Sequence, residues 1–384
     1  MNFIALKMLI GDRLKYIALV AGIAFAALLI TQQASIFTGY TLRTGTWIRE
    51  TTAGGADLWV MDPQVQMSEG PRALSDTALQ RVRSVQGVAW AVPMYKGWLE
   101  CRLPDGTLLT VRLIGIDDAT LAGGPPEMVE GQLSDLRRDR AVIVSSAALA
   151  TDFALDRGKG RPLRVGDRVD INDHQSIVVG TYKAGPEFFW EPVVYTTYTR
   201  ALTYAPRHRR LLSYVLVKLA PGADSAEVAK RIERTTGLKA HTGAEFERVT
   251  ADYILKKTGI LINFGMTIGL GFLIGLLVAG QTFYTFVLDN LRHFAALKAM
   301  GAANATVLRM LCLQVITVGL IGYGIGLGGA SLTGIAFERG GLAFQMHWLI
   351  PTFGAVAVLG CCLIAGFLGM IRVLRLEPSV VFKG

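Results

Sequence analysis

The sequence predicts a membrane α-helical bundle of four spans that carries one extracytoplasmic α+β domain. Three observations predict it. Four long stretches contain no Asp, Glu, Lys or Arg; the polar residues concentrate between the first and second stretch; and basic residues cluster at one end of each span. A helix needs about 20 mostly apolar residues to cross the hydrocarbon core. The charge-free stretches lie between Lys15 and Arg43, Lys257 and Asp289, Arg309 and Glu338, and Arg339 and Arg372.

Composition agrees. The 384 residues are 51% hydrophobic and 18% charged, against about 25% charged in soluble domains. Most of the formal net charge of +9 lies in the flanks of the spans, so it does not call for a nucleic-acid partner. Lys7, Arg13 and Lys15 precede the first span. Arg292, Lys298 and Arg309 lie between the second and third, and Arg372, Arg375 and Lys383 follow the fourth. By the positive-inside rule these segments are cytoplasmic, and the segment from Arg43 to Lys257 faces outwards.

In chain order, residues 1–15 form an amphipathic lead-in helix and 16–37 the first span, a retained anchor and not a cleaved leader. Residues 38–257 make the extracytoplasmic domain, with helical stalks over Thr38–Thr51 and Ala244–Lys257. The second span covers 258–288, a cytoplasmic segment 289–309, and the third span 310–335. A short outer loop covers 336–350, the fourth span 351–371 and a tail 372–384.

The third span pairs Gly322 with Gly326 and Gly324 with Gly328. Such small-xxx-small faces let helix backbones approach closely, either within one bundle or between subunits. Asn263, Gln281 and Gln314 are expected to hydrogen-bond between helices. No ionisable residue sits deep in a span, which argues against an ion-coupled carrier.

Within the outer domain, Ala56–Met61, Leu74–Val85 and Val88–Val92 read as strand, helix, strand. So do Ser213–Leu219, Ser225–Thr235 and Leu238–His241. Two such units split by an insertion point to a ferredoxin-like porter module. The insertion, about 115–206, is β-rich, with strands at Ala141–Ser145, Arg168–Ile171 and Ser176–Thr181. Arg207–Arg210 reads as an exposed loop. Trp90, Trp98, Phe188, Phe189 and Trp190 are a core or an apolar recognition surface.

Signatures of chemistry are missing from the sequence. It has no GxxxxGK[ST] loop, no HExxH and no GxSxG. Its five histidines lack metal-ligand spacing, so no cofactor and no metal is expected in this chain. Cys101, Cys312, Cys361 and Cys362 are expected as small apolar packing residues.

The cytoplasmic link from Gln281 to Gly301 reads QTFYTFVLDNLRHFAALKAMG, and the tail from Arg372 to Pro378 reads RVLRLEP. With the ALKML start at Ala5–Leu9 and the one-plus-three layout of spans, the chain resembles the MacB/FtsX permease family. It is closest in motif to the DevC-type permease of a heterocyst glycolipid exporter. LKAMGA (Leu297–Ala302) matches the family link, while His293 stands where Glu is common.

The resemblance implies a permease that works as a dimer with a separate ABC ATPase holding ATP and Mg. It also implies that the permease lies in a bacterial inner membrane and has a periplasmic adaptor and an outer-membrane channel as partners. The ATPase would dock on a helix over Asn290–Asn304, at Arg292, His293, Leu297, Lys298, Met300 and Gly301. The expected function is mechanotransmission-type export of a lipid-like substrate. Alternatives are FtsX-like signalling to cell-wall hydrolases and lipoprotein release.

Overall fold

Each charge-free stretch contains a long helix. The computed structural model describes residues 2–155, 160–206 and 212–374. They form two units, Met1–Tyr40 with Gly259–Gly384, and Thr41–Thr258. Helix α1 (Asn2–Gly11) precedes α2 (Arg13–Arg43). Residues 13–15, expected in the lead-in helix, begin α2 instead. Asp12 stops α1 and caps α2, its Oδ1 accepting from the Lys15 amide at 3.3 Å.

The outer unit opens with α3 (Thr46–Ala53). The first expected stalk is therefore broken, by a turn at Thr44–Gly45. A Cβ on Gly45 would run into the Glu247 side chain, which reaches across to pair with Arg49. There follow β1 (Leu58–Met61), α4 (Asp76–Arg83), β2 (Val88–Arg102), β3 (Leu108–Ile116), β4 (Met128–Glu130) and β5 (Ala141–Ser145). Next come β6 (Arg168–Ile171), β7 (His174–Tyr182), β8 (Val193–Thr197) and α5 (Tyr198–Tyr204). β9 (Tyr214–Leu219), α6 (Ser225–Thr236), β10 (Lys239–Thr242) and α7 (Gly243–Lys257) complete the unit.

One end of the sheet runs β10-β1-β9-β2, each neighbour antiparallel. β9 lies between the two strands joined by α4, and β1 lies between the two joined by α6. This interlocking is the split βαβ arrangement of the ferredoxin-like fold. Strand alternation divides the burial. Leu58 and Val60 pack under α4 and α6 with Val82, Val228 and Ile232. Trp59 and Met61 face Trp47 and Ile48 of α3 and Phe246 of α7.

The β-rich insertion is a barrel, and it starts earlier than the expected residue 115. β2 is long enough to serve both parts: Val88–Met94 pair with β9, and Tyr95–Arg102 pair with β3. From there β3 pairs β8, β8 pairs β5, β5 pairs β7, β7 pairs β6, and β6 returns to β2. The ring has no free edge between its members. Leu99, Cys101, Val111, Leu113, Val142, Val144, Val178 and Val194 fill it. Their strand neighbours Ile114, Ile143 and Tyr195 join the core around Trp59, so these strands are apolar on both faces.

α6 and α7 begin on side-chain caps. Asp224 accepts from the Glu227 amide, and Thr242 and Glu245 form a capping box. The second expected stalk, α7, also stops short of its span: Gly259 adopts φ +68° before α8 (Ile260–Asp289). α9 (Leu291–Ala299), α10 (Asn304–Arg339) and α11 (Leu349–Leu374) complete the chain. Among the described residues, four helices are long and apolar enough to cross a membrane. The expected Arg207–Arg210 loop and the tail beyond Leu374 lie outside the described residues.

Candidate coupling surface

α9 is shorter than the expected Asn290–Asn304. Gly301 takes φ +93°, and Ala303 is already the extended N-cap of α10. One face of α9 is sunk into the bundle: Phe294 and Ala295 have no exposed surface, and Phe294 packs in one core with Leu9, Val287 and Val307. The strand of chain entering α9 is also tied, since Asp289 pairs with Lys15 at the start of α2, and Lys15 pairs with Asp12 at 2.9 Å.

The outward face is set by what Phe294 buries. Arg292, His293, Met300 and Gly301 are exposed, Met300 by 76%. Leu297 and Lys298 are half-buried beside them. The result is a firmly seated short helix whose free edge carries cationic and soft apolar groups. Phe294 and the Lys15–Asp289 pair were not singled out from sequence. The helical offset of Phe294 from the exposed Arg292 and His293 is the local signal for the first; nothing local signals a pair so distant in the chain.

The four paired glycines of α10, Gly322, Gly324, Gly326 and Gly328, divide into two sets. Cβ atoms on Gly322 and Gly326 would strike α2, at Ile23 (2.7 Å) and Ala27 (2.6 Å) respectively, whereas Gly324 and Gly328 meet nothing within 4 Å. The first set brings α10 against α2 inside the bundle; the second lies open. Of the three polar span residues, Gln314 is buried and donates to the Ala5 carbonyl at 2.7 Å. Asn263 and Gln281, expected to bond between helices, are instead exposed on α8. They stand eighteen positions apart, hence on one face, with Leu270, Ile274 and Leu277 exposed between them. Cys101, Cys361 and Cys362 are buried, and all four cysteines are free thiols.

The outer unit holds a buried ionic network that the sequence reading did not find. Glu69 Oε1 accepts from Lys96 Nζ at 2.6 Å and faces Arg112 Nη1 at 3.4 Å, while Arg112 Nη2 bonds to Glu187. Lys96 Nζ also sits 3.5 Å from the centre of the Trp47 ring. Burial pulls the Lys96 ammonium down to about 8, against the opposing pull of Glu69. Burial likewise raises Glu187, beyond what Arg112 restores. For Glu69 burial is outweighed, because two cations converge on it and hold it below the usual carboxylate value.

The aromatic residues also divide. Trp90 packs against the core around Trp59. Trp98 and Trp190 are exposed, and Phe189 stacks edge-on to both Trp98 (6.0 Å) and Phe188 (5.1 Å).

Residues 17–235 match the family of MacB-like periplasmic core domains, and residues 264–378 match the FtsX-like permease C-terminal family. An uncharacterized ABC transporter permease of Mycobacterium bovis is 28% identical over 116 residues, 29% of this chain and 31% of that protein. Two of Mycobacterium tuberculosis match equally. The match thus spans about a third of these relatives' length. Among solved structures, the extracellular domain of the ABC-type transporter YknZ from Gram-positive bacteria aligns with 49% of this chain and 99% of its own, at 16% identity and TM-score 0.36. The periplasmic region of MacB from Actinobacillus actinomycetemcomitans aligns with 52% of this chain and 96% of its own, at 13% identity and TM-score 0.37. By the first of the two family matches, which takes in more than half of its residues, and by the second, which covers the remaining spans, this chain belongs to the MacB/FtsX-type ABC transporter permeases.

Proposed function

We propose that this chain is the membrane subunit of an ATP-driven exporter, with ATP and Mg held by a separate ABC ATPase. The single observation that carries the reading is α9. Its inner face is locked into the bundle by Phe294, and its outer edge presents Arg292, His293, Met300 and Gly301. A helix so mounted passes force to the spans instead of rolling under load. Both termini are then cytoplasmic, by the Lys/Arg placement, and the outer domain faces the periplasm of an inner membrane.

Pairing with a second copy is part of the proposal. Only 11% of the apolar window of α8 is buried, against 39–44% for the other three spans. Its exposed stripe ends in Asn263 and Gln281, whose amides gain from a hydrogen-bonding neighbour in place of hydrocarbon. The motif likeness to DevC-type permeases favours a lipid-like cargo, passed to an adaptor and outer-membrane channel. The FtsX-like match over 264–378 supports a second reading, in which the same motion activates a cell-wall hydrolase.

The test is co-purification from gently solubilised membranes. Met300→Glu and Lys298→Glu place negative charge on the outer edge of α9 and are expected to lose a P-loop ATPase while the chain still inserts. Undiminished recovery of the ATPase with both variants refutes the docking assignment. An adaptor among the recovered proteins favours export, and a hydrolase favours signalling.

A further inference from the structure

The outer unit contains a cleft of about 600 Å³ lined in part by Glu69, Arg72, Lys96, Trp98, Pro206 and Ser213. That is the size range of sites that take small organic molecules. Trp98 belongs both to the cleft and to the aromatic group, so the half-buried rings of Phe189 and Phe188 continue from its mouth. Trp190 follows directly in the chain and is 77% exposed.

These aromatics are held in place from below. Arg112, itself buried, bonds through Nη2 to the Glu187 carboxylate and through Nε to the Glu191 carbonyl at 3.0 Å. Its backbone amide donates to the Pro192 carbonyl at 3.0 Å. Both ends of the Phe188–Trp190 tripeptide are thus fastened to one side chain. An indole kept in water on a braced loop, beside the half-buried Phe188 and Phe189, marks an interaction surface more than an accident of packing.

The charges choose the ligand. The cations Arg72, Lys96 and Arg112 stand against the anions Glu69 and Glu187, an excess of one positive charge. Arg72 is the exposed member. Glu69 adds an acceptor in the wall: its Oε1 serves Lys96 and Arg112, and its buried Oε2 has no hydrogen-bond partner among the described residues.

We propose that this cleft and its aromatic rim bind an anionic amphiphile. The anionic head sits at Arg72, a hydroxyl of the head group bonds towards Glu69, and the apolar chain lies across Trp98, Phe189 and Trp190. The site rests on the outer unit alone and stands whether or not α9 docks an ATPase.

The test uses the full chain in nanodiscs of zwitterionic lipid and photolabelling by octyl phosphate with a diazirine in its chain. The same chain on a trimethylammonium head is the control. The phosphate probe is expected to label peptides containing Trp98 and Phe188–Trp190. Arg72→Gln, at an exposed position, should lower that labelling about tenfold, the equivalent of one charge-assisted hydrogen bond. Trp190→Ala should lower it as well, with the unfolding temperature unchanged. Equal labelling by the cationic probe, labelling untouched by Arg72→Gln, or label confined to the spans would each overturn the assignment.

Discussion

Arg112 and Glu187 form an ion pair almost wholly inside the outer unit, their side chains 3% and 9% exposed. Arg112 comes from a barrel strand and Glu187 from the loop that carries the aromatic tripeptide, so the pair fastens a loop to a sheet. A buried pair is weak evidence for stability as a whole, yet removing one member strands the other. Arg112→Met is therefore expected to destabilise the outer unit by about 3 kcal/mol. Glu187→Gln should cost less, because burial already opposes the Glu187 charge. Denaturant unfolding followed by tryptophan fluorescence checks the order; equal or reversed effects contradict this account of the loop.

Lys96 gives a pH dependence of unusual sign. Its ammonium titrates at about 8 when folded, against an ordinary value of 10.5. Between those values the unfolded chain keeps a proton that the folded chain has released. Stability from this group therefore rises with pH across that window and is flat below it. The stability difference between the native protein and Lys96→Met is expected to shift in favour of the native protein from pH 8 to pH 10. A difference that is constant, or shifts the other way, refutes the assignment.

How much of this was readable in advance depended on whether the signal was local. The four spans follow from charge-free runs, β5 from a short apolar run and β6 from polar–apolar alternation between turns; all are properties of adjacent residues. The closure of the barrel was not readable, because it depends on β6 returning to β2 across seventy positions of chain. Nor was the double use of β2, since nothing in its sequence marks Met94 and Tyr95 as the point where one partner strand gives way to another. A clue to the ionic network was present. Arg112 stands between Val111 and Leu113 in an otherwise apolar strand, where a charge is either at an edge or buried with a partner. Gly322 and Gly324 look alike in sequence, and only the position of α2 separates them.

That separation is testable. Gly326→Val places methyl groups against Ala27 and the backbone of Leu28, and overpacking of this kind costs about 1–3 kcal/mol. Gly324→Leu projects into open space within one chain and should leave the thermal midpoint of the solubilised monomer unchanged. If that face of α10 meets a second copy, Gly324→Leu should reduce disulfide-free chemical cross-linking between copies. A lowered midpoint for Gly324→Leu, matching that of Gly326→Val, contradicts the division.

The mount of α9 and its outer edge should fail in different ways. Phe294→Ala removes a fully buried ring from the core shared with Leu9 and Val307, and such truncations cost about 3–5 kcal/mol. Met300→Glu alters a side chain that is 76% exposed and should change stability by less than about 0.5 kcal/mol. If α9 is a force-bearing contact, both substitutions uncouple ATP hydrolysis from transport, Phe294→Ala by loosening the helix while a partner still binds, Met300→Glu by preventing binding. Measuring partner binding and unfolding temperature on the same two variants separates the cases. A Phe294→Ala protein that is as stable as the native chain and fully coupled removes the seated helix from the mechanism, and with it the physical reason for placing the coupling there.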